Sequence, residues 1–425
     1  MRPSTNPRSC LSQTLLLVMI IAFLMGSCWS ATWVIVRKDG QRIECSGPFV
    51  IINGVYTFRT ADGKDGTLLG SEVNAEQTAA ANTGRTTTVP AARQSAPTLA
   101  VPATAETAYA DAIRLQGLLH YRRFQELTSE LEQRQAAFQQ DIRLEAAVTD
   151  SFDLLVLRRP GVEPILDEWV RQFPKSWVPF VARGFYFYGQ GWETRGTKFA
   201  NQTPDARFAS MARYFERASL DLESALQLNP RLVVAYQELI GMAKAGGKTG
   251  DGSRQYLQRA LDICPACFEV RRQYMVEFEP RWGGSYEEMQ EFAAKSQHAD
   301  NPQLRSLFGS SYWDNGNIAQ NAKRFPEAIQ LYTKALSFGE YWAFYYGRGG
   351  AAVRAKRYKE ALPDLNRAIE LRPTKGDPYI DRAVCWANLG DYKAAKRDLM
   401  TAHTLPSREE WLSYVDKWLL NYGGK

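Results

Sequence analysis

Histidine is nearly missing from this chain. Only His120, His298 and His403 occur in 425 residues, far apart in sequence. So thin a supply argues against a His-rich metal site and against any triad built on an imidazole base. Cysteine is also scarce. Of six, Cys10 and Cys28 lie at the N-terminus, leaving Cys45, Cys264, Cys267 and Cys385. Four thiols in a chain of this length do not make a disulfide framework, so an apolar core must hold the fold. Charge of one sign is lacking too. The 52 basic and 46 acidic residues leave +6, spread along the chain, and no nucleic-acid groove follows from that. No G-x-S-x-G, H-E-x-x-H or dinucleotide fingerprint appears. Acids are abundant, yet none pair in an apolar setting that would mark a general acid and base. What is present is 45% apolar and 23% charged residues, enough for two or three cored domains. A non-enzymatic binding or scaffold protein without metal or cofactor is the expectation.

The chain begins with Arg2 and Arg8 and no acid, then an apolar run from Leu15 to Met25, then Gly26-Ser27-Cys28. Basic, apolar and small-residue stretches in that order are the pattern of an export signal over residues 1–27. The run is shorter than the roughly 20 residues that span a bilayer. Trp29 to Val36 is rather apolar as well, so an uncleaved anchor ending before Arg37-Lys38 stays open beside cleavage. Met25-Gly26-Ser27-Cys28 resembles the bacterial lipobox, although Met25 stands where leucine is usual. That resemblance implies lipidation of Cys28, and Trp29 in place of aspartate then implies the outer membrane. Plain cleavage near Ser30 or Ala31, with Cys28 discarded, is the other outcome. Either way the expected location is exported, in the periplasm or as an outer-membrane lipoprotein. Membrane contact would come only through a signal anchor or a lipid at Cys28.

Residues 28–75 read as a small antiparallel β module. WVIV at 33–36, FVII at 49–52 and VYTF at 55–58 are β-branched and aromatic, with Asn53-Gly54 a strong hairpin signal. The turn DGKDG at 62–66 lacks the spaced acids and closing glutamate of a calcium loop. Residues 76–106 are rich in Ala, Thr and Pro with almost no large apolar side chain, which predicts a disordered linker and a domain boundary.

From residue 107 onward the pattern is helical. Tyr109, Ile113, Leu115, Leu118 and Leu119 recur at steps of three and four. Proline and glycine cut the rest into helix-sized pieces. The alanine pairs Ala328/Ala335, Ala361/Ala368 and Ala395/Ala402 repeat every 33 or 34 residues, each preceded by an aromatic at Phe325, Tyr358 or Tyr392. Gly316 and Gly349 keep the same step, Gly390 falls within the third unit, and Pro373 closes one unit. This pattern resembles the tetratricopeptide repeat (TPR). ALQLNP ending at Pro230 and ALDICP ending at Pro265 read as degenerate repeats. WVRQFPKSWVPFVARGFYFYGQGWETRG and EPRWGGSYEEMQEFA resemble an uncharacterised bacterial helical family often fused to such repeats. The expected fold is mainly α, a TPR-like helical-hairpin solenoid. An atypical TPR-like region covers 107–305, and repeats with a capping helix cover 306–425.

Cys264-Pro265-Ala266-Cys267 is the one motif that looks chemical. It follows a helix end rather than a strand, which removes the thioredoxin context. A local disulfide, two free thiols, or a redox or metal role all stay open. Gly246-Gly247-Lys248-Thr249 ends like a phosphate loop, but Met242 stands where the first glycine belongs.

The TPR resemblance implies a concave face lined by the first helix of each pair. Carried over position by position, it points to Trp313, Asn317, Gln320, Asn321, Tyr346, Arg354 and Asn388 as candidates for holding a protein or peptide partner of the cell envelope. Asn and Gln would bond an extended backbone, with Trp313 and Tyr346 as apolar anchors. Removing Arg354 and Asn317 together is expected to cost affinity without costing stability. The alternatives are an enzyme of unknown reaction in 107–305, near Trp192, Glu193 and Arg195, or a purely structural envelope spacer.

Overall fold

The computed structural model describes residues 33–46, 49–52, 55–69, 72–83, 104–156, 161–196, 202–245 and 251–422. The leader with Cys28, the Asn53-Gly54 turn, most of the Ala/Thr/Pro segment and Gly246–Thr249 lie outside them. Two compact units are formed, residues 1–93 and 94–425.

In the first unit, β1 (Trp33–Val36) and β2 (Arg42–Cys45) pair antiparallel, Trp33 opposite Cys45. Strands β3 (Val50–Ile52), β4 (Val55–Arg59) and β5 (Asp65–Leu69) form an antiparallel meander. Ile35, Cys45, Tyr56, Phe58, Leu68 and Val73 make its core. The DGKDG segment is a turn closed by Thr60 N–H to the Lys64 carbonyl at 2.8 Å and by an Asp62–Lys64 ion pair at 2.8 Å. Among the described residues no group of three His, Cys, Asp or Glu side chains could hold a metal ion.

One boundary moves. Residues 75–83, expected to open the disordered linker, carry helix α1 (Ala75–Ala81), capped by Asn74. Its alanines favour helix, and its polar side chains complete the edge of β1. The Thr78 hydroxyl oxygen accepts from the Val36 N–H at 3.0 Å, and the Asn82 side chain bonds both the N–H and C=O of Val34.

The second unit is a chain of helices. Its first hairpin is α2 (Ala105–His120) and α3 (Phe124–Gln140), followed by α4 (Glu145–Leu155) and α5 (Val162–Gln172). Next come α6 (Val178–Arg195) with α7 (Asp205–Leu228), then α8 (Val233–Ala245) with α9 (Asp251–Ile263). Helices α10 (Glu269–Met275) and α11 (Tyr286–Lys295) lead through a 3-10 turn to three regular pairs. These are α12 (Ser310–Asn321) with α13 (Phe325–Leu336), α14 (Trp342–Arg354) with α15 (Tyr358–Leu371), and α16 (Asp377–Asn388) with α17 (Tyr392–Thr404). Helix α18 (Glu409–Tyr422) ends the array with Leu412 and Val415 buried.

The alanine pairs behave as small residues between close helices should. All six, from Ala328 to Ala402, have no exposed surface. Tyr332 fills the space between neighbouring units, and a Cβ at Gly316 or at Gly347 would lie 2.6 Å from its ring. Glycine at both positions is therefore a packing requirement.

A second regularity runs through the hairpins. An arginine on the first helix binds a carboxylate sixteen residues later on the second: Arg114 to Glu130, Arg348 to Asp364, Arg382 to Asp398. Midway lies a left-handed residue, Arg122 (φ 56°), Lys356 (φ 61°) and Gly390 (φ 89°), with Lys323 (φ 60°) as its counterpart in the α12–α13 turn. The next N–H in each turn reaches back five residues, Arg123 to the Leu118 carbonyl and Arg357 to Ala352, both at 2.8 Å. The α2–α3 hairpin thus has the same turn and clamp as the C-terminal pairs.

The array also returns on itself. In an open solenoid each repeat touches only its neighbours. Here the Gln116 amide donates to the Thr404 carbonyl at 3.0 Å, and Arg372 grips Asp150 at 2.7 and 2.8 Å. Lys375 reaches Asp153 at 2.8 Å and Asp150 at 3.0 Å. One apolar core runs from Leu115 and Leu119 through Val178 and Leu239 to Ile380, Leu399 and Leu405.

Candidate functional site

The concave-face candidates divide into two groups. Trp313 and Asn317 serve the fold. The Trp313 indole N–H donates to the Ala343 carbonyl at 3.1 Å, with the Arg272 guanidinium 5.1 Å over its ring. The Asn317 side-chain carbonyl accepts from the buried Tyr332 hydroxyl at 2.8 Å. Asn321 and Asn388 are exposed at the ends of their helices, and the Asn388 amide donates to its own Val384 carbonyl at 2.8 Å.

Gln320, Tyr346 and Arg354 are brought together. Arg354 donates to the Gly350 carbonyl at 2.9 Å and lies 3.5 Å from Asp381, which is fully buried. Gln320 faces the same glycine, and a Cβ at Gly350 would be 3.1 Å from Asp381, 3.2 Å from Arg354 and 3.9 Å from Gln320. The Gln320 side-chain oxygen is buried without a hydrogen bond.

Across this cluster lies the chain's own C-terminal segment. Arg408 binds Asp377 through its backbone N–H at 2.8 Å and its side chain at 3.0 Å, and also bonds the Tyr346 hydroxyl. The Trp411 indole N–H donates to Asp381 at 2.9 Å, and the Arg354 guanidinium sits 5.8 Å over the Trp411 ring. Expecting removal of Arg354 and Asn317 to leave stability untouched is thereby corrected. One pairs with a buried carboxylate, and the other satisfies a buried hydroxyl.

A second polar centre forms where the array returns. Asp150 receives Arg372, Thr374 and Lys375. Burial alone would raise its carboxyl, yet the charges of Arg372 and Lys375 hold it far below the usual range. Glu145 accepts from the N–H groups of Phe268 (2.7 Å) and Val270 (3.2 Å), capping α10. Burial, with Glu269 adding its charge, pushes Glu145 up to about 7. Glu238 on α8 is 6% exposed and senses Asp153 and Lys375; burial first, then Asp153, drive it well above its ordinary range. A cleft of about 390 Å³ opens at this closure, lined by Glu145, Phe268, Glu269, Tyr341, Trp342 and Arg372 among others. Sequence reasoning missed the whole centre, since Asp150 and Arg372 are 222 residues apart.

The remaining motifs are structural. Cys264 and Cys267 are joined in a disulfide, and Arg271 donates to the carbonyls of Cys267 and Pro265, both at 2.6 Å. Near the atypical turn, Trp192 packs edge-on against Phe215 at 5.7 Å, while Arg195 turns to the Gly196 carbonyl at 3.0 Å and Glu193 is exposed.

Comparison with known proteins gives a consistent outline. Residues 111–250 and 243–314 match a domain of unknown function, DUF4034. Residues 343–375 match the tetratricopeptide repeat. No curated protein matches. Among solved structures the chain is similar to YrrB, described as a TPR protein with an unusual peptide-binding site, at 13% identity. That match covers 59% of this chain and 97% of the other, with a TM-score of 0.23. A tetratricopeptide repeat protein from Parabacteroides merdae ATCC 43184 is 13% identical over 74% of this chain and 99% of its own, with a TM-score of 0.30. The APC/C hetero-tetramer Cut9-Hcn1 is 14% identical over 74% and 54%, with a TM-score of 0.29. The tetratricopeptide-repeat match falls on α14–α15, with regular helix pairs on either side.

Proposed function

We propose that this protein is an exported, non-enzymatic scaffold whose concave helix face holds a segment of another cell-envelope protein. The observation that carries the reading is the cluster of Tyr346, Arg354, Asp377 and Asp381, which already holds a peptide segment, residues 408–411 of the chain itself. Repeat arrays of this kind present extended concave surfaces to partners. Export is supported by the basic and apolar leader up to Met25 and by Cys28, and the Cys264–Cys267 bond suits an oxidising compartment.

The test is photo-crosslinking in living cells from the full chain. A benzophenone side chain is placed at exposed Asn321 or Asn388, with Leu220 on α7, 60% exposed, as the control. A discrete adduct from the two groove positions and none from Leu220 is the expected result. Equal labelling from all three, or from Leu220 alone, overturns the reading. Fractionation of the same cells tests export, which fails if the full chain stays in the cytosol.

A further inference from the structure

The contact between residues 408–411 and the repeats discloses what chemistry the concave face accepts. We infer that Arg408 and Trp411 are a built-in, displaceable occupant of a basic-aromatic docking site, and that the partner segment presents an arginine and an aromatic three residues apart. This rests on the scaffold reading above and adds to it the partner's side chains and a competition for the site.

The floor of the site is acidic. Asp377 and Asp381, on successive turns of α16, project from one helix face. Asp377 meets the Arg408 side chain at 3.0 Å, and Asp381 accepts from the Trp411 indole at 2.9 Å. Arg354 and Tyr346 supply the walls, one over the Trp411 ring and the other beside the Arg408 guanidinium at 5.9 Å. A planar guanidinium and an indole N–H therefore each have a carboxylate and a π or cation–π neighbour. Lysine would reproduce the charge but not the planar stack. Arg408 stands immediately before α18 and Trp411 in its first turn, so the spacing of three fits the start of a helix.

Displacement is within reach because the occupant sits at the start of α18, where helix ends fray. The Arg408 side chain is half exposed, at 50%. Helix α18 stays anchored through Leu412 and Val415, which belong to the main core. Residues 408–411 leave the floor when only the first turn of α18 unwinds, the rest of the helix staying in place.

The experiment uses the full chain and a fluorescein-labelled synthetic peptide of residues 406–418, read by anisotropy. R408A/W411A is expected to bind it at least tenfold tighter than the native chain, a difference of about 1.4 kcal/mol. Adding D377N should abolish that gain, and a peptide with alanine at both key positions should not bind. Equal binding by native and variant chains, or a gain insensitive to Asp377, overturns the inference. If R408A/W411A loses its helical signal, Arg408→Gln, which frees only the Asp377 half of the site, is expected to give a smaller gain that D377N again abolishes, and no gain overturns the inference. Adducts from Asn321 with no peptide discrimination would sink this inference alone. Loss of those adducts would sink the scaffold reading itself.

Discussion

Arg372 joins two distant parts of the chain to the returning end of the array. It binds Asp150 and Glu269 while almost wholly buried, as its partner Asp150 is. Truncating one member of a buried pair leaves the other charge uncompensated and typically costs about 3–5 kcal/mol. Arg372→Ala should therefore lower stability by that order in urea titration, whereas Arg143→Ala, whose side chain is exposed, should change it by under about 0.5 kcal/mol. Similar losses for both would contradict the assignment. Glu145 gives a pH signature of the opposite kind. Its carboxyl is raised from 4.5 to about 7, so between those values the native state keeps a proton that the unfolded chain has lost. Stability contributed by this group then falls as pH rises from about 4.5 to 7. Glu145→Gln should flatten that part of the melting-temperature profile. Asp150, depressed instead, contributes stability that is present above its unfolded value and lost as pH falls below about 4.

At the scale of helices, the turn residues offer a paired test. Lys356 and Gly390 occupy the same left-handed position in successive units. A side chain there costs roughly 1 kcal/mol, partly offset by the greater freedom of glycine in the unfolded chain. Lys356→Gly should raise stability by up to about 1 kcal/mol, and Gly390→Ala should lower it by about 1 kcal/mol. Same-sign effects in thermal melts would show that the two turns are not equivalent. The C-terminal pairs were readable from sequence because the alanines, and Gly316 with Gly349, recur at fixed spacing, and those positions are the ones where helices touch. The α2–α3 hairpin was not readable as a repeat. Its clamp is Arg114–Glu130 and its turn residue is Arg122, types that do not announce a turn. Helix α1 escaped notice because AEQTAAA sits at the edge of an Ala/Thr-rich stretch, and only its bonds to Val34 and Val36 reveal its place.

For the molecule as a whole, the repeat resemblance named positions and could not name their surroundings. The repeat resemblance, carried over position by position, pointed to Tyr346, Arg354 and Gln320. It could not show that Arg408 and Trp411 would lie across them, or that Asn317 would be engaged by Tyr332. The closure was beyond reach for the same reason, since nothing local links Gln116 to Thr404 across 288 positions. Closure has a consequence for cooperativity: an open array unfolds from its ends, while one whose first and last hairpins share a core loses both together. Native-state hydrogen exchange on the full chain and on Arg372→Ala measures this most directly. A closed array predicts that protection drops in parallel in α4 and α16, over 200 residues apart, while α7 keeps its native rates. Loss confined to residues 372–376, with α4 still exchanging as in the native chain, would contradict closure.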